Sequence, residues 1–307
     1  MVLFSQYFVG KNQNQSSFDF VDINLDSDNK LFLDVLKISD KYFPGYGEQA
    51  NQKIKDFIDC VFNLYVQGKG KYAYSILTHS KEDNSNRLGY SKGKAVGKGA
   101  SAEQLKEVFN QLCSDDKVSS AVRKQLALLP IYVPNFAEDR MSDLIVSIIR
   151  KELVEFTLDQ AKLLKIPIEK TKHDYGYYWD NISRSWKNYE NYWIKGNDGK
   201  PLILTPKRIV STKYSYNVGN YIQHTLLVME QNHRSVADKK LPTKKDLYKE
   251  LISDVYEKDK SKSYALDATK KFPEAIKQFL RLQESRNLAT PLSDEEITAA
   301  VKESIKK

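Results

Sequence analysis

The chain has 307 residues, 41% hydrophobic and 29% charged, enough to bury a sizeable core in one large or two smaller globular domains. It has no run of eighteen apolar residues, and Met1 to Phe8 lacks a basic leader start, so neither a membrane span nor a secretory signal is expected. Cys60 and Cys113 form neither a disulfide framework nor a zinc pattern, which points to a reducing cytoplasm. The net charge of +8 favours polyanionic partners.

In chain order, Val21, Ile23 and Leu25 alternate with Asp22, Asn24 and Asp26 at strand period. After the turn-forming Asp26-Ser27-Asp28-Asn29, the apolar run Leu31 to Leu36 predicts a second, buried strand, and the two suggest a hairpin. Lys53 to Val66 places Ile54, Phe57, Ile58, Val61, Phe62 and Tyr65 on one helical face. Tyr72 to Thr78 is predicted as a strand, and Arg87 to Ser101 as a glycine- and lysine-rich loop. Ser101-Ala-Glu-Gln104 has capping-box spacing and opens a helix. A further helix is expected from Val118 to Leu129, ending near Pro130, followed by an extended piece at Ile131 to Val133. Met141 to Leu164 predicts a long, central apolar helix.

Asn197-Asp198-Gly199-Lys200 signals a tight turn before a buried strand at Leu202 to Leu204. A helix is expected from Val218 to Gln231. The lysine-rich remainder, from about residue 236, forms helices, the last opened by the capping box Ser293-Asp-Glu-Glu296 with Leu292 and Ile297 as staple. The expected fold class is α+β (mixed), a small, mostly buried sheet with more helix than strand. Residues 1–235 would form the mixed core and 236–307 a helical C-terminal subdomain.

The window from Lys172 to Tyr221 holds all three tryptophans, Trp179, Trp186 and Trp193, at intervals of seven. Residues 161–230 carry 11 basic against 6 acidic side chains. Rings beside cations can stack bases and hold phosphates; they also describe a packed core with a wet rim. Trp179, Trp186 and Arg208 are the candidates here for nucleic-acid contact.

Three further groups carry candidate chemistry. Asp34, inside LFLDVL, is a carboxylate in apolar surroundings that needs a partner, a metal, or a place at the strand end where it faces water or caps a turn. Asp139 and Asp143, four apart at the start of the central helix, share a face and suit either metal binding or N-capping. In the loop, Lys92, Lys94 and Lys98 among glycines suit a phosphate backbone. Gly93 to Lys98 is one residue short of a Walker A loop and has Gly99 where Ser or Thr is needed, so an ATPase is excluded. Lys207, just past the 202–204 strand, suits polarising a phosphate or orienting a water, and equally a solvated place at the strand end.

Taken in order, LFLD at 31–34, RLGYSKGKAVGKG at 87–99, DRMSDL at 139–144 and LILTPK at 202–207 resemble bacterial proteins found beside phage-defence and mobile-element genes, some of them similar to restriction-type nucleases or their accessory subunits. The resemblance implies a cytoplasmic anti-phage defence protein that binds nucleic acid, DNA before RNA. Asp34 and Asp143 would hold Mg2+ and Lys207 would steady the developing charge in a phosphodiester hydrolase. The D/E-x-K nuclease pattern is not met, since Lys37 stands three residues after Asp34. That departure keeps a second expectation open, a non-catalytic accessory subunit controlling a partner enzyme from a neighbouring gene.

Overall fold

The computed structural model describes residues 2–10, 13–79, 84–89, 126–134, 136, 138–214, 216–234, 241–257, 260–285 and 290–303, with isolated positions between 106 and 112. The fold is mixed α+β with more helix than strand, as expected, and among the described residues the strands form three two-stranded sheets.

Helix α1 (Phe4–Phe8) is followed by a short strand β1 (Phe32–Leu33) and the long helix α2 (Gly47–Val66). The apolar face expected on α2 is the one it buries, each large side chain contributing about 1.5–3 kcal/mol. At its first residue a side chain on Gly47 would run into the backbone of Ser39, so only glycine fits. Helix α3 (Gly70–Leu77) replaces the strand expected at Tyr72 to Thr78. Its buried Ala73, Ile76 and Leu77 stand at helical spacing, which outweighs the aromatic content of the segment.

Most of the helix expected from Val118 to Leu129 lies outside the described residues. Pro130 sits in the first turn of α4 (Leu129–Tyr132), where its missing N–H costs nothing, so Ile131 and Tyr132 are helical and only Val133 is extended, with φ −81° and ψ 117°. The single long helix expected next is two, α5 (Glu138–Ile148) and α6 (Arg150–Leu163), broken at Ile149 with φ −102° and ψ 22°. The break sets Arg150, whose guanidinium donates to the carbonyl of Tyr175. That carbonyl lies at a register irregularity in the following hairpin, β2 (His173–Asp180) with β3 (Ser185–Asn191).

In that antiparallel hairpin Trp179 and Trp186 are directly paired across the strands, the structural meaning of their spacing of seven. Strands β4 (Ile194–Lys195) and β5 (Pro201–Leu202) flank the expected tight turn, in which Gly199 takes φ +79°.

The hairpin expected between residues 17 and 36 does not form. Residues 20–25 are buried on both faces, and their backbone partners lie far away in sequence. Residues 2–4 pair with 23–25, and the segment 201–211, which pairs with 19–21, changes partner every residue or two. Pro201–Leu202 pairs with β4, and Ile203 N–H donates to Ser85. Leu204 N–H donates to Thr157 Oγ1, and Thr205 to Lys207 exchange backbone bonds with Asp19 to Val21. Its last part, β6 (Val210–Ser211), pairs antiparallel with β1. Such rapid exchange satisfies the buried backbone without building a large sheet.

Helices α7 (Val218–Tyr221) and α8 (Leu227–His233) are joined by a π-turn at Ile222–Leu226. Then come α9 (Lys244–Tyr248), continued by a second π-turn at Lys249–Ser253, and α10 (Lys260–Lys271), α11 (Ala275–Ser285) and α12 (Asp294–Glu303). The capping box expected at α12 is present: Glu296 N–H donates to Ser293 Oγ (3.2 Å) and Ser293 N–H to Glu296 Oε2 (2.8 Å).

These C-terminal helices share the core of the N-terminal part. Thr269 of α10 meets the hydroxyls of Tyr132 (3.2 Å) and Tyr221 (2.9 Å) deep inside. Among the described residues no helix is long and apolar enough to cross a membrane.

Candidate nucleic-acid interface

The β1–β6 pair brings the LFLD and DRMSDL blocks together with the residues just past LILTPK. Leu33 pairs with Val210, Leu33 N–H donates to Ser142 Oγ (3.2 Å) on α5, and Asp34 N–H donates to Ile209 (2.8 Å). Asp34, Ser142 beside Asp143, and the 207–211 segment thus meet at one edge. The loop lysines Lys92, Lys94 and Lys98 and the Ser101 capping box lie outside the described residues.

Asp34 does not stand in a strand interior. It caps a 3-10 turn, Val35–Lys37, accepting from Leu36 N–H at 3.2 Å through Oδ1. Its Oδ2 accepts from Ser211 Oγ at 2.8 Å and lies 3.8 Å from Lys37 Nζ. Lys37 in turn donates to Ser211 Oγ (2.7 Å) and to the Val210 carbonyl (2.9 Å).

Burial raises the Asp34 carboxyl above its ordinary range, and Lys37 and then Ser211 pull it back. Burial lowers the Lys37 ammonium, opposed first by Asp34 and then by Glu296 and Tyr42. The cation expected beside Asp34 is therefore Lys37. Both carboxylate oxygens accept from protein groups, Oδ1 from Leu36 and Oδ2 from Ser211. A serine hydroxyl between an acid and an amine has the parts of a nucleophile relay. Here Lys37 is 1% exposed and Asp34 8%, so the set works as a clamp joining β1 to β6.

Above this clamp lies a second, wetter layer. Lys207 and Arg208 form the 3-10 turn Lys207–Ile209 leading into β6. The half-buried ring of Tyr42 has Lys41 Nζ 4.9 Å from its centre and Arg208 Cζ at 6.0 Å. Arg208, Lys41 and Lys213 are exposed. Lys207 reaches back to Asp294 of α12 (2.8 Å) and to the Gln15 carbonyl (3.4 Å). It is thus engaged by protein groups and not aimed at Asp34. Asp143, one residue past Ser142, is half-buried on α5. Tyr42, Lys37 and Ser211 were not singled out from the sequence. Their only signal was the three-residue offset of Lys37 from Asp34, which fits one tight turn.

The aromatic hairpin has a different character. Trp179 is 0% exposed, packs edge-on against Phe57 (5.0 Å), and donates its indole N–H to Asp56 Oδ2 at 2.9 Å. Asp56 also accepts from Arg184 Nε at 2.8 Å. The expectation of Trp179 as a base platform is therefore corrected: its faces are core.

Trp186 is half-buried, donates to the Ile76 carbonyl at the end of α3 (3.0 Å), and stacks on His79 with centroids 5.5 Å apart. Tyr177, at the outer side of His79, is 43% exposed. Behind the hairpin lies a second buried ion pair that sequence reasoning missed: Lys53 Nζ meets Glu152 Oε1 and lies 4.8 Å from the Tyr178 ring centre.

Among the described residues no three His, Cys, Asp or Glu side chains gather as a metal ion would need. Residues 10–217 match the model of a domain of unknown function, DUF8370. No curated protein and no solved structure matches the chain.

Proposed function

The chain belongs to the DUF8370 family, and on that footing we propose that it is a nucleic-acid-binding protein, DNA before RNA, serving as a non-catalytic subunit beside a partner enzyme in an anti-phage defence complex. The observation that carries the binding reading is the cation-flanked ring of Tyr42, with Lys41 at 4.9 Å, Arg208 at 6.0 Å, and Lys207 next in the chain. A ring offers a stacking surface to any base, and the two cations held over this ring are within reach of the phosphates that flank a stacked base. The observation that favours a non-catalytic role is the engagement of Asp34 by Ser211, Leu36 and Lys37. The partner and the defence setting rest on the sequence resemblance.

The test is anisotropy and cleavage with labelled single- and double-stranded DNA and RNA, in Mg2+, Mn2+ or EDTA. Binding without cleavage is expected. Tyr42→Ala should lose about 1–3 kcal/mol of affinity, and Arg208→Ala should lower the salt slope by about one contact. Binding unchanged in both variants would remove this edge from the reading. Mg2+-dependent cleavage lost in Asp34→Ala would instead restore the phosphodiester hydrolase.

A further inference from the structure

We propose that the acidic first turn of α12 is an internal stand-in for phosphate, seated on the cationic edge at Lys207 until a nucleic acid displaces it. This rests on the nucleic-acid reading of that edge and adds to it a competing ligand carried by the same chain.

The turn consists of Asp294, Glu295 and Glu296. Acidic residues at a helix start commonly do no more than complement the dipole. Two of these three do more. Asp294 Oδ1 lies 2.8 Å from Lys207 Nζ. The charge of Glu296 acts on Lys37, the buried cation beneath the edge. The Asp294 carboxylate thus neutralises the outer lysine, the way a phosphate meets a binding edge.

The rest of the helix holds the turn in place. Ile297, Ala300 and Val301 are buried, and α12 packs on the 3-10 turn Gln15–Ser17. The same Gln15 supplies the carbonyl that Lys207 touches. At the far end Glu303 faces Lys30 at 3.9 Å. The docking is a small apolar face with an ion pair at each end, an arrangement that salt and competing anions weaken. The helix also lies outside residues 10–217, the part matched by the family model, so the edge belongs to the matched part and its cover does not.

While Asp294 occupies Lys207, the exposed Lys41 and Arg208 on Tyr42 are left to meet incoming phosphate. Release of the turn adds Lys207 to them. The expected ligand is single-stranded nucleic acid, whose bases are free to meet Tyr42 while a phosphate replaces the Asp294 carboxylate on Lys207.

The experiment compares the full chain with its Asp294→Asn/Glu296→Gln variant. Binding of a labelled single-stranded DNA is followed by anisotropy over a series of salt concentrations. Glutamine preserves the capping box, so the charges are lost while the helix start is kept; a thermal melt verifies the fold.

The variant should bind about two- to fivefold tighter, as loss of an ion pair of ordinary strength implies, and its salt slope should steepen by about one phosphate contact. Lys207→Ala in the variant background should abolish the gain. If wild type binds and the variant matches it in affinity and slope, the stand-in is refuted while the binding edge survives. If neither binds, both readings fall. Should the double variant melt early, Asp294→Asn alone carries the same comparison.

Discussion

The aromatic hairpin and the Asp34–Ser211 edge use the same materials, rings, lysines and carboxylates, to opposite ends. In the hairpin the tryptophans face inward: Trp179 gives its N–H to Asp56, Trp186 closes the end of α3, and the exposed Arg184 is tied to the same Asp56. At the edge a closed polar clamp lies underneath, while Tyr42, Lys41 and Arg208 remain on the outside. Aromatic density along a sequence therefore marks where the chain packs, and binding chemistry can gather from segments that look sparse one at a time.

The sharpest way to break this contrast is Trp179→Ala. A fully buried tryptophan truncated to alanine should cost about 3–5 kcal/mol in a urea melt, with DNA affinity of the folded fraction unchanged. A variant that melts like wild type and loses DNA binding would turn the hairpin back into an interface.

Next comes Lys37→Met, which strands the buried Asp34 charge and should cost about 3–5 kcal/mol. Asp34→Leu combined with Lys37→Met should cost less than Lys37→Met alone, because no charge is left buried. A double variant worse than the single one would show that the polar clamp itself is stabilising.

The smallest effect is expected at the hairpin turn. Hydrogen bonding from Lys187, and then from Ser183, holds the Asp180 carboxyl well below its usual range. A depressed folded-state value stabilises the fold above the ordinary carboxylate range, and that stability is lost as pH falls below about 4. Thermal melts between about pH 5 and pH 2 should decline less in Asp180→Asn than in wild type; parallel declines would remove Asp180 from the acid response.

What the sequence made legible was local. Helix α2, the Asn197–Lys200 turn and the Ser293–Glu296 box all rest on contacts within a few residues, and each is present. The break at Ile149 was not legible, because no Gly or Pro marks it and its reason, the Tyr175 carbonyl, is supplied by a strand further along. The alternation at 21–25 was legible and misleading: both faces are buried, so period two named the conformation without naming the partner. At the site, the anomaly of a carboxylate in LFLDVL was visible. Its resolution required Ser211, 177 residues away. Lys207 looked like a free cation because nothing nearby in sequence announces Asp294.

The segment 201–211 also bears on how the chain folds. Its backbone bonds go to β4, Ser85, Thr157, residues 19–21 and β1, so it gains little until those groups are already in place. Closing loops that long costs entropy before any bond repays it, and high contact order of this kind slows folding. The segment should therefore lock in late and act as a keystone. Its final register, Phe32 opposite Ser211, is also what creates the Asp34 clamp, so the cationic edge should come into being only with the last step of assembly.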